Sequence, residues 1–324
     1  MGPIKALGAV LVAVSLLAAL PQAAGADDRS APLPARADVG PMRHLWQTLN
    51  NCGPASVVMA LSTLGVDADQ EIARLALRGP DLRRGMGPGP VDPWVNDLYG
   101  LRSISRVNGT IELMKRLVAN GFAPMVTQWM QDPTISRIAH WRTVRGYDDD
   151  LAVFYVNDPM LGANVPLTYE WFSANWQPFS YRWMVLYRPD DQGRLQQLIG
   201  LDWTESGMRD RFYARAKADA YAQDTSAAWL TYGEAAYQDG WFAEAVAAFD
   251  HGMQLGSAAG VFTIRSSYPQ ALRALGRQND ATNAAASLAS LSVTPATVVQ
   301  SPDRYAIFMA YTRAHIDDGV TLLE

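Results

Sequence analysis

The chain has 324 residues, enough for two domains rather than one. Hydrophobic residues make up 49% and charged residues 18%, the balance of a packed globular protein and not of a disordered one. The net charge of −5 comes without any basic cluster, so the sequence gives nucleic-acid binding no support.

In chain order, Lys5 precedes an apolar run from Ala6 to Leu20, and Ala24-Gly25-Ala26 follows. A short basic start, an apolar run too short for a comfortable membrane span and small residues at a cleavage point describe a signal peptide over 1–26, cut after Ala26. The expectation is an exported protein, secreted or periplasmic, with no membrane association once that segment is removed. Residues 27–40, rich in Pro, Ala, Asp and Arg, read as a disordered lead-in. Residues 41–190 mix helix and strand, and 191–324 are almost entirely helical; the stretch from Arg188 to Gly193 is the expected join.

Within 41–190, Val57, Val58, Leu61 and Leu64 keep helical spacing, which predicts a helix from Gly53 to Leu64 stopped by Gly65. Gln70 to Leu77 reads as a second helix and Thr110 to Asn120 as a third, closed by Gly121. The Gly- and Pro-rich stretch from Arg78 to Asp92 must be a loop, and its part from Gly79 to Pro90 reads as a solvent loop in preference to a border of a cleft. Ala123 to Trp129, His140 to Tyr147, Leu151 to Asn157 and Tyr181 to Tyr187 read as strands. Helices followed by a run of strands point to an α+β domain. Trp129, Trp141, Trp171 and Trp183 read as core packing.

The tail carries a repeat signal. Trp229, Tyr232, Gly233, Ala245 and Phe249 sit at the offsets of a 34-residue helix-turn-helix repeat with Gly240 at its turn. A weaker copy starts near Val261, with Gly276 at its turn. The pattern is similar to a tetratricopeptide repeat; a plain helical hairpin packed on the first domain explains it equally well.

An exported protein meets an oxidising compartment, where cysteines usually pair. This chain has a single cysteine, Cys52, and can form no internal disulfide. A lone thiol is an oxidation risk, kept as a small apolar filler or for chemistry. Its setting, Gln47-Thr-Leu-Asn-Asn-Cys52-Gly-Pro-Ala, places it where a polar loop becomes an apolar helix. Unpaired N–H groups and the helix dipole there favour thiolate over thiol. A thiolate nucleophile needs an imidazole partner. His140 starts a strand in the same domain, whereas His251 and His315 lie in the tail and His44 in a loop. A β-hairpin with an acidic turn, symmetric about Asp149, would set His140 opposite Asp158 and let the carboxylate orient the ring. A bulge would slip that register by one. Asp158 also reads as a turn residue in Asn157-Asp-Pro. Gln47, Asn50 and Asn51 are rival side-chain donors to an oxyanion, beside the backbone N–H of Cys52.

These three blocks, Gln-x4-Cys-Gly-Pro-Ala, His-Trp-Arg-x-Val-x-Gly-Tyr-Asp-Asp and Asn-Asp-Pro, closely resemble the C39-like cysteine peptidase family of the papain-like superfold, over roughly Pro41 to Tyr187. The resemblance implies a two-lobe domain: a helical lobe carrying the cysteine and an antiparallel sheet carrying His and Asp. The helical-repeat segment follows it. It further implies Cys52 as nucleophile, His140 as general acid and base, Asp158 as orienting group and Gln47 as oxyanion donor. A peptide or protein substrate is expected, together with a protein partner for the C-terminal helices. No cofactor or metal is expected: no Cys/His zinc spacing exists, and the three adjacent carboxylates Asp148 to Asp150 make no calcium cage. A thiol acyltransferase or amidase on the same fold, and a non-catalytic peptide-binding scaffold, are the alternatives.

Overall fold

In a computed structural model of the chain, the described residues are 2, 32–81, 84–130, 138–256 and 262–290. The expected signal peptide and the end of the tail, including His315, lie outside them. The elements in chain order are β1 (Arg36–Asp38), α1 (Cys52–Thr63), α2 (Gln70–Leu77), α3 (Val91–Tyr99), β2 (Arg102–Arg106), α4 (Ile111–Ala119), β3 (Met125–Trp129), β4 (Ala139–Asp148), β5 (Val153–Asp158), β6 (Gly162–Thr168), α5 (Tyr169–Trp176) and β7 (Trp183–Tyr187). A helical segment follows: α6 (Gln192–Ile199), α7 (Glu205–Gln223), α8 (Ser226–Gln238), α9 (Phe242–Leu255), α10 (Ile264–Ala274) and α11 (Gln278–Ser290).

The seven strands form one antiparallel sheet in the order β2-β7-β3-β4-β5-β6, with β1 paired to the far half of β4. The residues read as a lead-in up to Gly40 therefore include a strand. Ala37 faces Tyr147, and Val39 donates its N–H to the Arg145 carbonyl at 2.8 Å.

Period-two alternation divides β7 between two cores. Met184 and Leu186 pack with Val57, Val58 and Leu61 of α1, in the cluster that holds Cys52. Trp183, Val185 and Tyr187 pack on the other face with Phe172 and Trp176 of α5 and Leu117 of α4. The sheet is thus a central layer with the α1–α3 lobe on one side. Thr143 Oγ1 donates to the Ser56 carbonyl at 3.1 Å and ties α1 to β4.

The tail has its own core. Helices α8 and α9 close against each other with no room for a side chain at Gly233: a Cβ there would stand 2.5 Å from a Phe249 ring carbon. Gly252 meets Leu230 in the same way. Gly240, at φ +82, makes the turn between the two helices, a backbone conformation that L side chains rarely adopt.

Candidate active site

Cys52 opens α1, and the chain reaches it through Asn50 in a left-handed conformation (φ 58). Asn51 is buried, and its Nδ2 donates to Thr48 Oγ1 and Gln70 Oε1, so that amide serves the loop and not the cleft. Arg78 braces the same loop by donating to the Asn50 and Arg84 carbonyls, within electrostatic reach of Cys52. Gly53 has a specific reason to be glycine. A Cβ there would stand 2.6 Å from Met86 Cβ, so the Gly/Pro loop closes directly on the first turn of α1. Trp141 Nε1 donates to the Met86 carbonyl at 3.2 Å and holds the loop from the sheet side. The stretch read as a solvent loop is instead a wall of the cleft: Gly85, Met86, Gly87 and Pro88 line a cavity of about 400 Å³ together with Cys52 and Asn50.

His140 and Asp158 come together, by a different register from the expected one. Asp148 faces Val153, so residues 149–152 form the turn and its centre lies beyond Asp149. A bulge between Val144 and Gly146 takes back one residue, and Thr143 then faces Asn157. Continued by one step, that register sets Arg142 opposite Asp158, with His140 two residues away on the same face. Nε2 of His140 lies 2.8 Å from Asp158 Oδ1, and Arg142 Nε donates to Oδ2 at 2.6 Å; all three side chains are fully buried.

Asp158 also accepts the N–H groups of Met160 (2.7 Å) and Leu161 (3.0 Å), so it is a turn residue as well as a partner of the ring. His44 Nε2 donates to its carbonyl at 2.9 Å, and Gln47 donates its N–H to the Pro159 carbonyl, which fixes the loop before Cys52 against the end of β5.

The sequence reading missed Arg142. Its guanidinium donates to the carbonyls of Trp129 (3.1 Å) and Met130 (2.6 Å), to Gln128 Oε1 (3.2 Å) and to Asp158. The available signal was an arginine two positions after the histidine in a strand, on the same face.

The electrostatics follow from burial and partners. Burial opposes the ionised Asp158, but His140, Arg142 and the Met160 N–H together hold its carboxyl far below the usual carboxylate range. A carboxylate only accepts, so His140 Nε2 carries its proton and Nδ1 is left for other business. Nδ1 is buried without a hydrogen-bond partner, and the Cys52 thiol acts on the ring and raises its pKa. Burial disfavours the imidazolium, yet Asp158 and Cys52 raise its pKa above the ordinary histidine value. Burial likewise disfavours the thiolate, but His140 and the N–H groups of Trp141 and Gly53 bring the thiol below its ordinary value. Among the described residues, no group of His, Cys, Asp or Glu side chains is placed to hold a metal ion.

Residues 36–184 match the Peptidase_C39 like family. The comparison with curated proteins gives no match. Among solved structures, the chain is similar to a protein from Bacillus anthracis described as a C39-like peptidase, at 14% identity over 47% of this chain and 98% of that one (TM-score 0.40). It is also similar to a double glycine motif protease from an AMS/PCAT transporter in complex with its leader peptide, at 16% identity over 47% and 94% (TM-score 0.36). A third is the peptidase domain of Streptococcus ComA, a bifunctional ABC transporter of a quorum-sensing pathway, at 16% identity over 46% and 99% (TM-score 0.37). The match to the Peptidase_C39 like family thus falls on the part of the chain that carries Cys52, His140 and Asp158.

Proposed function

We propose that the protein is an exported cysteine peptidase that cleaves a peptide or related amide through a thioester on Cys52. The observation that carries this reading is the buried line from the Cys52 thiol through the His140 ring to Asp158, with the thiol pKa lowered and the imidazole pKa raised. Opposite shifts in two adjacent groups favour the thiolate–imidazolium pair, the reactive form of such a nucleophile.

In the proposed reaction, the Cys52 thiolate attacks the scissile carbonyl carbon. The oxyanion is met by the Cys52 backbone N–H and the Gln47 side chain, with Asn50, at the cleft, as the remaining rival donor. Nδ1–H of His140 protonates the departing amine as the C–N bond breaks. The neutral ring then takes a proton from water, whose oxygen attacks the thioester and releases the acid and the Cys52 thiolate, restoring the thiolate–imidazolium pair. Asp158 keeps Nε2 protonated throughout, and Arg142 keeps Asp158 ionised and in place.

The test is a digest of a denatured proteome in which new peptide termini are read by mass spectrometry. Wild type should generate a defined set of cuts, and Cys52→Ala and His140→Ala should generate none. Cuts that persist in Cys52→Ala would remove the proposal. Export is tested separately: the N-terminus of the mature protein, expressed with its first 26 residues in a bacterial host, should begin at Asp27.

A further inference from the structure

The cleft beside Cys52 has two kinds of wall. The sheet and the Gly/Pro loop give one, with Trp141 and Met86. The other comes from outside the family domain: Phe262 and Thr263, just before α10, line the same cavity. Phe262 stacks on Phe179 with ring centroids 5.1 Å apart, and its N–H donates to the Pro178 carbonyl at 3.1 Å, so the helical segment is anchored at the rim.

Among the described residues that line this cavity, Arg182 is the only Arg, Lys, Asp or Glu. Its backbone is committed: Arg182 N–H donates to Phe179, and its carbonyl accepts from Thr127 N–H and Trp176 Nε1. Its guanidinium is not, making no hydrogen bond or ion pair among the described residues. The other arginines nearby have partners, Arg102 with Asp92, Arg106 with the Trp203 carbonyl and Arg209 with Glu205. The carboxyl that acts on Arg182 is that of Glu234, which is buried behind Thr263 and receives the Ser267 hydroxyl at 2.8 Å. Burial pushes the Glu234 carboxyl up to about 7, so it is only a partial counter-charge at neutral pH. Arg182 also borders two adjoining hollows of about 440 and 480 Å³, which places it where the cleft continues between the domain and the helical segment.

A guanidinium always carries its proton, and one that is part-buried beside the Phe179 and Phe262 rings is less hydrated than one at the open surface, which strengthens its attraction for an anion. We propose that Arg182 is a specificity-determining residue, which receives a carboxylate carried by the substrate next to the scissile bond, either an Asp or Glu side chain or a free C-terminus. The proposal rests on Cys52 as the nucleophile of peptide cleavage, and it narrows the substrate class to peptides with an anionic group at one fixed position. The planar fork suits a carboxylate, and the uncharged amide of Asn or Gln lacks the charge that answers the guanidinium.

The test uses the full chain and a positional-scanning hexapeptide library, with Asp, Glu, Asn, Gln or Lys fixed at each position in turn and with free or amidated C-termini. Cleavage by the wild type and binding to the inactive Cys52→Ala protein are measured in parallel. Both should favour the acid over the matching amide at one position by on the order of 10- to 100-fold, the worth of a hydrogen-bonded charge. A preference for the free over the amidated terminus, with no side-chain preference, would assign the carboxylate to the C-terminus. Arg182→Gln should bring the ratio near one, Arg182→Lys should keep part of it, and Arg182→Glu should favour the Lys peptides; a melting curve for each variant verifies folding. Acid-selective binding without cleavage would sink the peptidase reading and leave the subsite standing. Cleavage that ignores the acid, a ratio unchanged in Arg182→Gln, or no binding of any peptide would overturn the subsite.

Discussion

Arg142 holds the outer oxygen of Asp158 at 2.6 Å, and neither side chain has any exposure. The same guanidinium donates to the carbonyls of Trp129 and Met130, so one side chain links the end of β3 to the carboxylate that fixes the His140 ring. Removing one member of a buried ion pair leaves the other uncompensated, at a cost of about 3–5 kcal/mol. Arg142→Met should therefore lose about that much in urea unfolding at neutral pH. Arg142 also lowers the His140 pKa through its charge, so the ring in that variant should hold its proton to higher pH, as NMR titration of the imidazole would show. An unchanged titration would mean that Arg142 only packs.

The reactivity of Cys52 gives a second expectation. Its pKa is lowered, so the rate of alkylation by iodoacetamide should reach half its plateau below the ~8.5 of a free cysteine. In His140→Ala the largest stabiliser of the thiolate is gone and the Trp141 and Gly53 N–H groups are left to oppose burial, so the half-rise should move up in pH. Peptide cleavage in the same variant should fall by ~10²–10⁴-fold, the usual worth of a positioned acid and base. A profile identical in the two proteins would show that the ring and the sulfur are not coupled.

Acid stability tests Asp158. Its folded pKa is depressed below the unfolded value of ~3.9, so its contribution is fully present above that pH and is lost as the pH falls through the folded value. The folded pKa of His140 is raised, so its share is fully present below the unfolded ~6.5 and is lost as the pH rises through the folded value. The stability difference between wild type and Asp158→Asn should be largest between ~4 and ~6.5 and shrink on either side. Denaturant midpoints from pH 3 to 9 would show it; a flat difference would exclude the charge as its source.

The helical segment can be perturbed without touching the cleft. Gly233→Ala forces a methyl against the Phe249 ring, where overpacking costs about 1–3 kcal/mol. The unfolding of the segment should shift accordingly in a denaturant series, while the Cys52 labelling rate stays the same. Unaltered stability would show that α8 and α9 can separate freely.

How much of this was legible in the sequence depended on parity more than on position. The hairpin turn was placed too early, and the bulge at Arg145 went unlocated, yet the two displacements combine to an even number. An even slip keeps every side chain on its face, so His140 and Asp158 still meet; an odd one would have separated them. Helix α2 was readable to the residue because Asp69 caps it and the apolar spacing is unambiguous. Strand β6 was not readable: it is an edge strand with Gly162 and Pro166 and largely exposed side chains, so it lacks the alternation that marks a half-buried strand. Helix α3 hid behind the Gly/Pro loop because its own first turn contains Pro93. Arg182 and Phe262 were beyond reach, since their meeting depends on how the tail docks, and no local pattern encodes that.

That docking bears on what bounds the cleft. The aromatic side chain at position 262 comes from chain outside the 149 residues between 36 and 184 that match the family, yet it borders the hollow beside Cys52. Without residue 262, Phe179 would keep its edge contact with Trp129 but lose the ring stacked on it, and the hollow beside Cys52 would lose one flank. On the proposed peptidase reading, a different segment docked at the same rim would reshape the hollow and leave the Cys52, His140 and Asp158 side chains as they are.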